Sequence, residues 1–193
     1  MNKSGLRIVQ DFVSADEERR LLEEIDNQEW SGRGIEPNPE LQRRTQQYGC
    51  IFSYRERKII DKKGNSIPPF CQELIKRMAV YISDKDIPDS VIINEYEAGQ
   101  GIMPHIDSPK IFGKVIFSLS LLSECLMLFQ KDKHTVQSSD FTVRLPRRSL
   151  LMLEDDIRYN WNHSISKDTV EFYNGEQIVR SRRVSLTFRK INP

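Results

Sequence analysis

The chain has no apolar run near the length of about 18 residues that a membrane-crossing helix needs, so no such helix is expected. Its first residues, Met1-Asn2-Lys3-Ser4-Gly5, lack the long apolar stretch of a secretion signal. Cysteine is scarce: Cys50, Cys71 and Cys125 are odd in number, widely spaced and form no CxxC pair. That pattern excludes a disulfide framework and a cysteine-built zinc cluster. It suits reduced thiols filling apolar space in an intracellular protein, with the cytoplasm as the expected compartment and a nuclear pool compatible with it. No internal repeat or low-complexity tract is present. A net charge of +1 gives the chain no bulk attraction for nucleic acid.

The charge is nevertheless unevenly spread. Between Leu41 and Asn65 stand Arg43, Arg44, Arg55, Arg57, Lys58, Lys62 and Lys63, opposed only by Glu56 and Asp61. At 193 residues the chain is expected to form one domain, with an N-terminal part over 1–90 and a core over 91–193. Leu6 to Val13 reads as a strand. Ser14, with Glu17 three residues on, forms a capping box that opens a helix burying Leu21, Leu22 and Ile25. Pro37 and Pro39 keep residues 32–39 irregular. Gln42 to Tyr54 reads as a strand or hairpin. Pro68-Pro69 starts a second helix with Phe70, Leu74, Met78 and Ile82 on one face. From Val91 the period becomes two, giving strands at 91–96, 114–121, 125–130, 141–145, 149–153 and 183–190, with a hairpin or loop over 168–182. Two helices followed by many strands imply a mainly β fold with flanking helices (α+β), a jelly roll carrying both helices on one outer face.

Strand alternation sorts the polar residues. Asn94 and Tyr96 share a face, as do Arg183, Ser185, Thr187 and Arg189. The two arginines lie about 20 Å apart along the backbone. Their long side chains can close on a small dianion from its two ends, and the planar guanidinium matches a carboxylate. His105 and Asp107, one residue apart in extended backbone, point the same way. His163 must come from a strand alongside. Two histidines and one carboxylate on one side of a metal suit non-haem Fe(II), leaving positions open. Together with the arginine pair, they point to an Fe(II)/2-oxoglutarate dioxygenase.

These residues, in this order and spacing, resemble those of the AlkB-type Fe(II)/2-oxoglutarate dioxygenases: Asn94-x-Tyr96, Gly99-Gln100-Gly101-Ile102, His105-x-Asp107, His163 and Arg183 through Arg189. Arg43-Arg44-Thr45-Gln46-Gln47-Tyr48-Gly49, Leu145 to Leu150 and Arg158-Tyr159-x-Trp161-x-His163 extend the likeness. They resemble the branch whose oxygenase domain is fused, in animals, to a tRNA wobble-uridine methyltransferase. The resemblance implies a double-stranded β-helix, His105, Asp107 and His163 as iron ligands, and Asn94, Tyr96, Arg183, Ser185 and Arg189 around 2-oxoglutarate, with O2 as the second co-substrate. It places Arg43, Arg44 and Tyr48 in a nucleotide-recognition lid. The chain departs from the founding bacterial member at Pro109, where a base-contacting acid stands, and at Ser185, where asparagine stands. Asp155 replaces a turn residue that is often glycine in the tRNA branch. The appended RNA-recognition, methyltransferase and zinc units of the animal proteins are absent.

The expected activity is hydroxylation or oxidative demethylation of a modified base, in tRNA or other RNA rather than alkylated DNA, by a monomer that takes added RNA affinity from a protein partner. The rival readings are a protein hydroxylase or lysine demethylase of the same chemistry, and a non-enzymatic nucleic-acid-binding module that kept the fold.

Overall fold

The computed structural model describes residues 4–132, 134, 137 and 139–193. The helices are α1 (Ala15–Asp26), α2 (Pro69–Met78) and α3 (Asp155–Asn160). The strands are β1 (Leu6–Val9), β2 (Arg44–Tyr48), β3 (Ile51–Ser53), β4 (Lys58–Asp61), β5 (Ser90–Tyr96), β6 (Ile102–His105), β7 (Phe112–Leu122) and β8 (Cys125–Gln130). They continue with β9 (Phe141–Leu145), β10 (Leu150–Leu153), β11 (Asn162–Ile165), β12 (Val170–Tyr173), β13 (Glu176–Val179) and β14 (Arg183–Ile191).

A six-stranded antiparallel sheet runs β1-β10-β7-β14-β5-β2, and a four-stranded one runs β6-β11-β8-β9. Alternation gives the larger sheet two different faces. Val91, Ile93, Val115, Phe117, Leu119, Leu121, Val184, Leu186 and Phe188 point outward into a core shared with Leu21 and Ile25 of α1 and Cys71, Leu74 and Met78 of α2. The inner face meets the smaller sheet. There Ile116, Leu151 and Leu153 pack with Met127, Phe129, Leu145 and Ile165 in a second core. This is the double-stranded β-helix, with both N-terminal helices on one outer face.

Local chemistry explains the helix boundaries. Ser14 Oγ accepts from Glu17 N and the Glu17 carboxylate accepts from Ser14 N, a complete capping box. α2 stops at Met78, so its buried stripe is Cys71, Leu74, Ile75 and Met78. Ile82, expected to extend that face, instead follows a 3-10 turn and packs on the core from there. The Gln42–Tyr54 segment divides into two strands that do not pair with each other: β2 joins β5, and β3 forms its own hairpin with β4. Residues 168–182 contain the β12–β13 hairpin.

Candidate active site

On the inner face of the larger sheet, the apolar lining gives way to polar groups where β7, β14 and β5 meet. Arg183 pairs in register with Tyr96 and Ser185 with Asn94, so these four side chains share the inner face. β7 adds Ser118, whose Oγ lies 3.1 Å from Ser185 Oγ, and Ser120, whose Oγ accepts from Arg183 Nη2 at 2.8 Å. From the smaller sheet, β11 sets His163 directly opposite His105 of β6, with ring centroids 4.3 Å apart. His105 Nδ1 faces Met103 O at 2.8 Å. A carbonyl only accepts, so Nδ1 carries the proton and Nε2 keeps its lone pair for a ligand.

Asp107 follows β6 and is buried. Its carboxylate accepts from Arg189 Nη2 at 3.0 and 3.2 Å and from Arg189 Nε at 3.3 Å. Burial alone would raise its pKa, but the Arg189 guanidinium, followed by His163 and His105, outweighs that and holds the carboxyl well below the usual range. Burial and the neighbouring His105 push His163 down to about 3. At neutral pH the site therefore holds a neutral imidazole beside an ionised carboxylate, a donor set suited to a divalent iron. Among the described residues no three such groups are already closed around a single point, because the carboxylate is turned onto Arg189.

The arginines do not converge on one dianion as their spacing suggested. Arg189 is committed to Asp107, whereas Arg183, only 1% exposed, has no ion-pair partner among the described residues. Its Nη2 meets a serine, and its Nε is buried with no acceptor. A buried guanidinium left this way is costly unless an anion completes it. An acid can therefore complete Arg183, and the facing His105 and His163 imidazoles have the chemistry to hold a metal.

Two of the three residues assigned to a nucleotide lid are elsewhere. Tyr48 is 6% exposed in the helix-side core and donates to Gln46 Oε1 at 3.1 Å, so it cannot stack on a base. Arg44 alternates onto the same helix side. It makes a bidentate pair with Glu95 at 2.7 Å for each bond, and its guanidinium lies 4.7 Å from the Trp30 ring centroid. Arg43, on the opposite face, turns inward and donates to Asn94 Oδ1 at 2.8 Å.

Sequence reasoning missed the aromatic cover of the site. Tyr54, at the end of β3, lies 5.1 Å from the Arg43 guanidinium, and burial raises the pKa of its hydroxyl. The side-chain amide of Asn38 bridges Phe52 O and Tyr54 N, each at 2.9 Å, while Gln47 bonds both Phe52 N and Phe52 O. Phe52 in turn packs on Phe112, which also lies under Arg189. The only signal was a tyrosine beside a basic run. Arg158 was likewise noted only as part of a motif. It is buried and donates to three carbonyls: Asp107 O at 2.6 Å, Phe112 O at 3.1 Å and Gly113 O at 3.2 Å.

Known proteins share this framework. Residues 5–189 match the model of the 2OG-Fe(II) oxygenase superfamily. Uncharacterized protein L905 of Acanthamoeba polyphaga mimivirus is 36% identical, over 98% of this chain and 86% of that one. The Xenopus tropicalis tRNA (carboxymethyluridine(34)-5-O)-methyltransferase alkbh8 is 35% identical over 97% of this chain, which spans only 32% of that larger protein. The solved structure of OsALKBH1 superposes with a TM-score of 0.68 at 16% identity, covering 98% of each chain, and so shares the fold. The chain belongs to the 2OG-Fe(II) oxygenase superfamily, as an AlkB-type dioxygenase that works with Fe(II), 2-oxoglutarate and O2.

Proposed function

We propose that this dioxygenase hydroxylates or demethylates a modified base in RNA, with tRNA as the favoured substrate. Its iron would be held by His105, Asp107 and His163, and its 2-oxoglutarate by Asn94, Tyr96, Arg183 and Ser185. The observation that carries this reading is the unpaired, buried Arg183 across the pocket from the facing imidazoles. When bound, iron and 2-oxoglutarate would supply, with O2 as the oxidant, the oxidising chemistry: one oxygen atom goes to the substrate and the other to succinate, with CO2 released.

The chain's own residues do the positioning. Arg183 neutralises a carboxylate in a water-poor pocket, where a charge-assisted bond is strong. Arg189 keeps Asp107 ionised. Met103 O fixes the His105 tautomer, and Tyr54 with Phe52 closes the rim.

Nucleic acid is favoured by the β3–β4 hairpin, which roots these aromatics and exposes Arg55, Arg57, Lys58, Lys62 and Lys63 beside them. Such a cationic rim suits phosphodiester backbone, while the target base must leave its stack to reach the pocket. The name of the frog relative refers to tRNA. With a near-neutral chain, a protein partner supplying further RNA affinity completes the proposal. Incubation with Fe(II), 2-oxoglutarate and tRNA, followed by nucleoside mass spectrometry, tests it. A hydroxylated or demethylated nucleoside that is absent with Asp107→Ala supports the reading. Succinate formation with every nucleoside unchanged would refute the substrate class.

A further inference from the structure

Arginines that only hold this fold together bring their own acceptors. Arg44 pairs with Glu95, Arg182 with Asp26 and Glu95, Arg144 with Glu124 and Glu176, and Arg180 with Glu171. Arg158 meets three carbonyls. Two inward arginines break that pattern, Arg183 and Arg43. Among the described residues, neither forms an ion pair, and both lie 5.7 Å from the centroid of the same Tyr96 ring. Arg43 is half-buried, spends its Nε on the neutral Asn94 amide and lies 5.1 Å from the centroid of the Tyr54 ring. Two guanidiniums against one phenol repel each other, and partial burial weakens the screening by water. Among the described residues no carboxylate pairs with either guanidinium, so an anion entering beside the Tyr96 ring would meet two cations without ion-pair partners.

We propose that Arg43 is a second anchor for the distal carboxylate of 2-oxoglutarate, sharing it with Arg183, and so is a positioning residue for the co-substrate rather than a contact to nucleic acid. The inference rests on the co-substrate reading of the pocket given above. Arg189 is unavailable for this task because Asp107 occupies its fork. Arg43 precedes β2 in the chain, and its packing against the Tyr54 ring would link the carboxylate to the aromatic rim. The co-substrate would thereby brace the rim before the substrate arrives.

The test is calorimetric binding to the Mn(II)-loaded chain, comparing 2-oxoglutarate with 2-oxopentanoate, which lacks the distal carboxylate. Arg43→Gln should weaken 2-oxoglutarate by about 10- to 100-fold, the worth of one charge-assisted bond. It should leave 2-oxopentanoate unchanged within about twofold. Arg43→Lys should fall between parent and Arg43→Gln, and Arg44→Gln should match the parent. Equal weakening of both acids would assign Arg43 to general pocket shape and overturn the proposal. So would unchanged 2-oxoglutarate affinity together with weakened binding of an RNA oligonucleotide. Failure of the parent to bind either acid would instead remove the co-substrate reading itself. Melting temperatures of all variants establish that each is folded.

Discussion

Arg158→Lys isolates what the three-carbonyl fork contributes, because it keeps the charge and removes the geometry. The guanidinium reaches Asp107 O, Phe112 O and Gly113 O from three different nitrogens. A single ammonium on a flexible stem can satisfy one of them well. Phe112 O keeps a second donor in Asn192 Nδ2 at 3.3 Å, so one buried carbonyl is left over; an unsatisfied buried acceptor costs about 1–3 kcal/mol, which is the expected cost of the substitution. For a domain of this size that lowers the melting temperature by roughly 2–12 °C. The loss should concentrate where the fork acts, on the backbone that aims Asp107. Affinity for Co(II) should therefore fall by about tenfold or more, beyond what the shift in global stability explains. Arg158→Met, which removes the side-chain donor from Asp107 O and Gly113 O together, should be worse than Arg158→Lys. Urea unfolding and Co(II) titration read both quantities. If Arg158→Lys melts with the parent and binds Co(II) equally, the fork does not position the metal loop.

Three further outcomes follow from groups described above. Arg183→Met removes a buried, uncompensated cation, so the ligand-free protein should be as stable as the parent or more so, while 2-oxoglutarate no longer raises its melting temperature; a retained ligand shift would refute the anchor. Glu18 is fully buried and accepts from Leu122 N and Arg147 Nε, each at 2.7 Å. Because Arg147 is half-exposed, the ion pair itself counts for little. Glu18→Ala should thus cost about 1–3 kcal/mol through the orphaned Leu122 N–H and Glu18→Gln much less, in urea unfolding; equal losses would contradict this. His163 has a folded-state pKa of about 3 against an ordinary value of 6.5, so below pH 6.5 the unfolded chain takes up a proton that the folded one refuses. Stability of the metal-free protein should be complete above pH 6.5 and decline from there toward pH 3, with a shallower slope in His163→Gln; matching slopes would show that His163 is not the group responsible.

The parts of the fold that read clearly from sequence are those where one strand face is buried against helices. Val91-Ile93 and Val184-Leu186-Phe188 sit in that outer core, and their alternation is unbroken. β6 and β11 were anticipated only through His105 and His163 and not as bounded strands, because each has just four residues and shows no sustained alternation. β6 also contains Pro104, which an edge strand tolerates. That His105, Asp107 and His163 lie near one another was legible because few residue types suit a metal and a two-residue spacing fixes direction. Residues that work through backbone atoms left no such mark. Arg158 serves carbonyls of Asp107, Phe112 and Gly113, and Asn38 serves the backbone of Phe52 and Tyr54. Neither contact depends on the identity of the partner side chain. Tyr48 and Arg44 were misplaced because the segment was taken as a lid, whereas β2 is the edge strand of the larger sheet and its alternation sends both to the helix side.

β14 lies between β7 and β5 in the middle of the larger sheet, yet it follows every other strand of that sheet in sequence. Without residues 183–191 the sheet reduces to two parts, β1-β10-β7 and β5-β2, each with an unfilled hydrogen-bonding edge. Exposed edges of that kind are templates for mispairing, and contacts between distant segments form slowly. The strand that carries Arg183 and Arg189 is thus also the keystone of assembly. A ribosome stall or frameshift shortly before it would yield an aggregation-prone intermediate, not a folded but inactive enzyme.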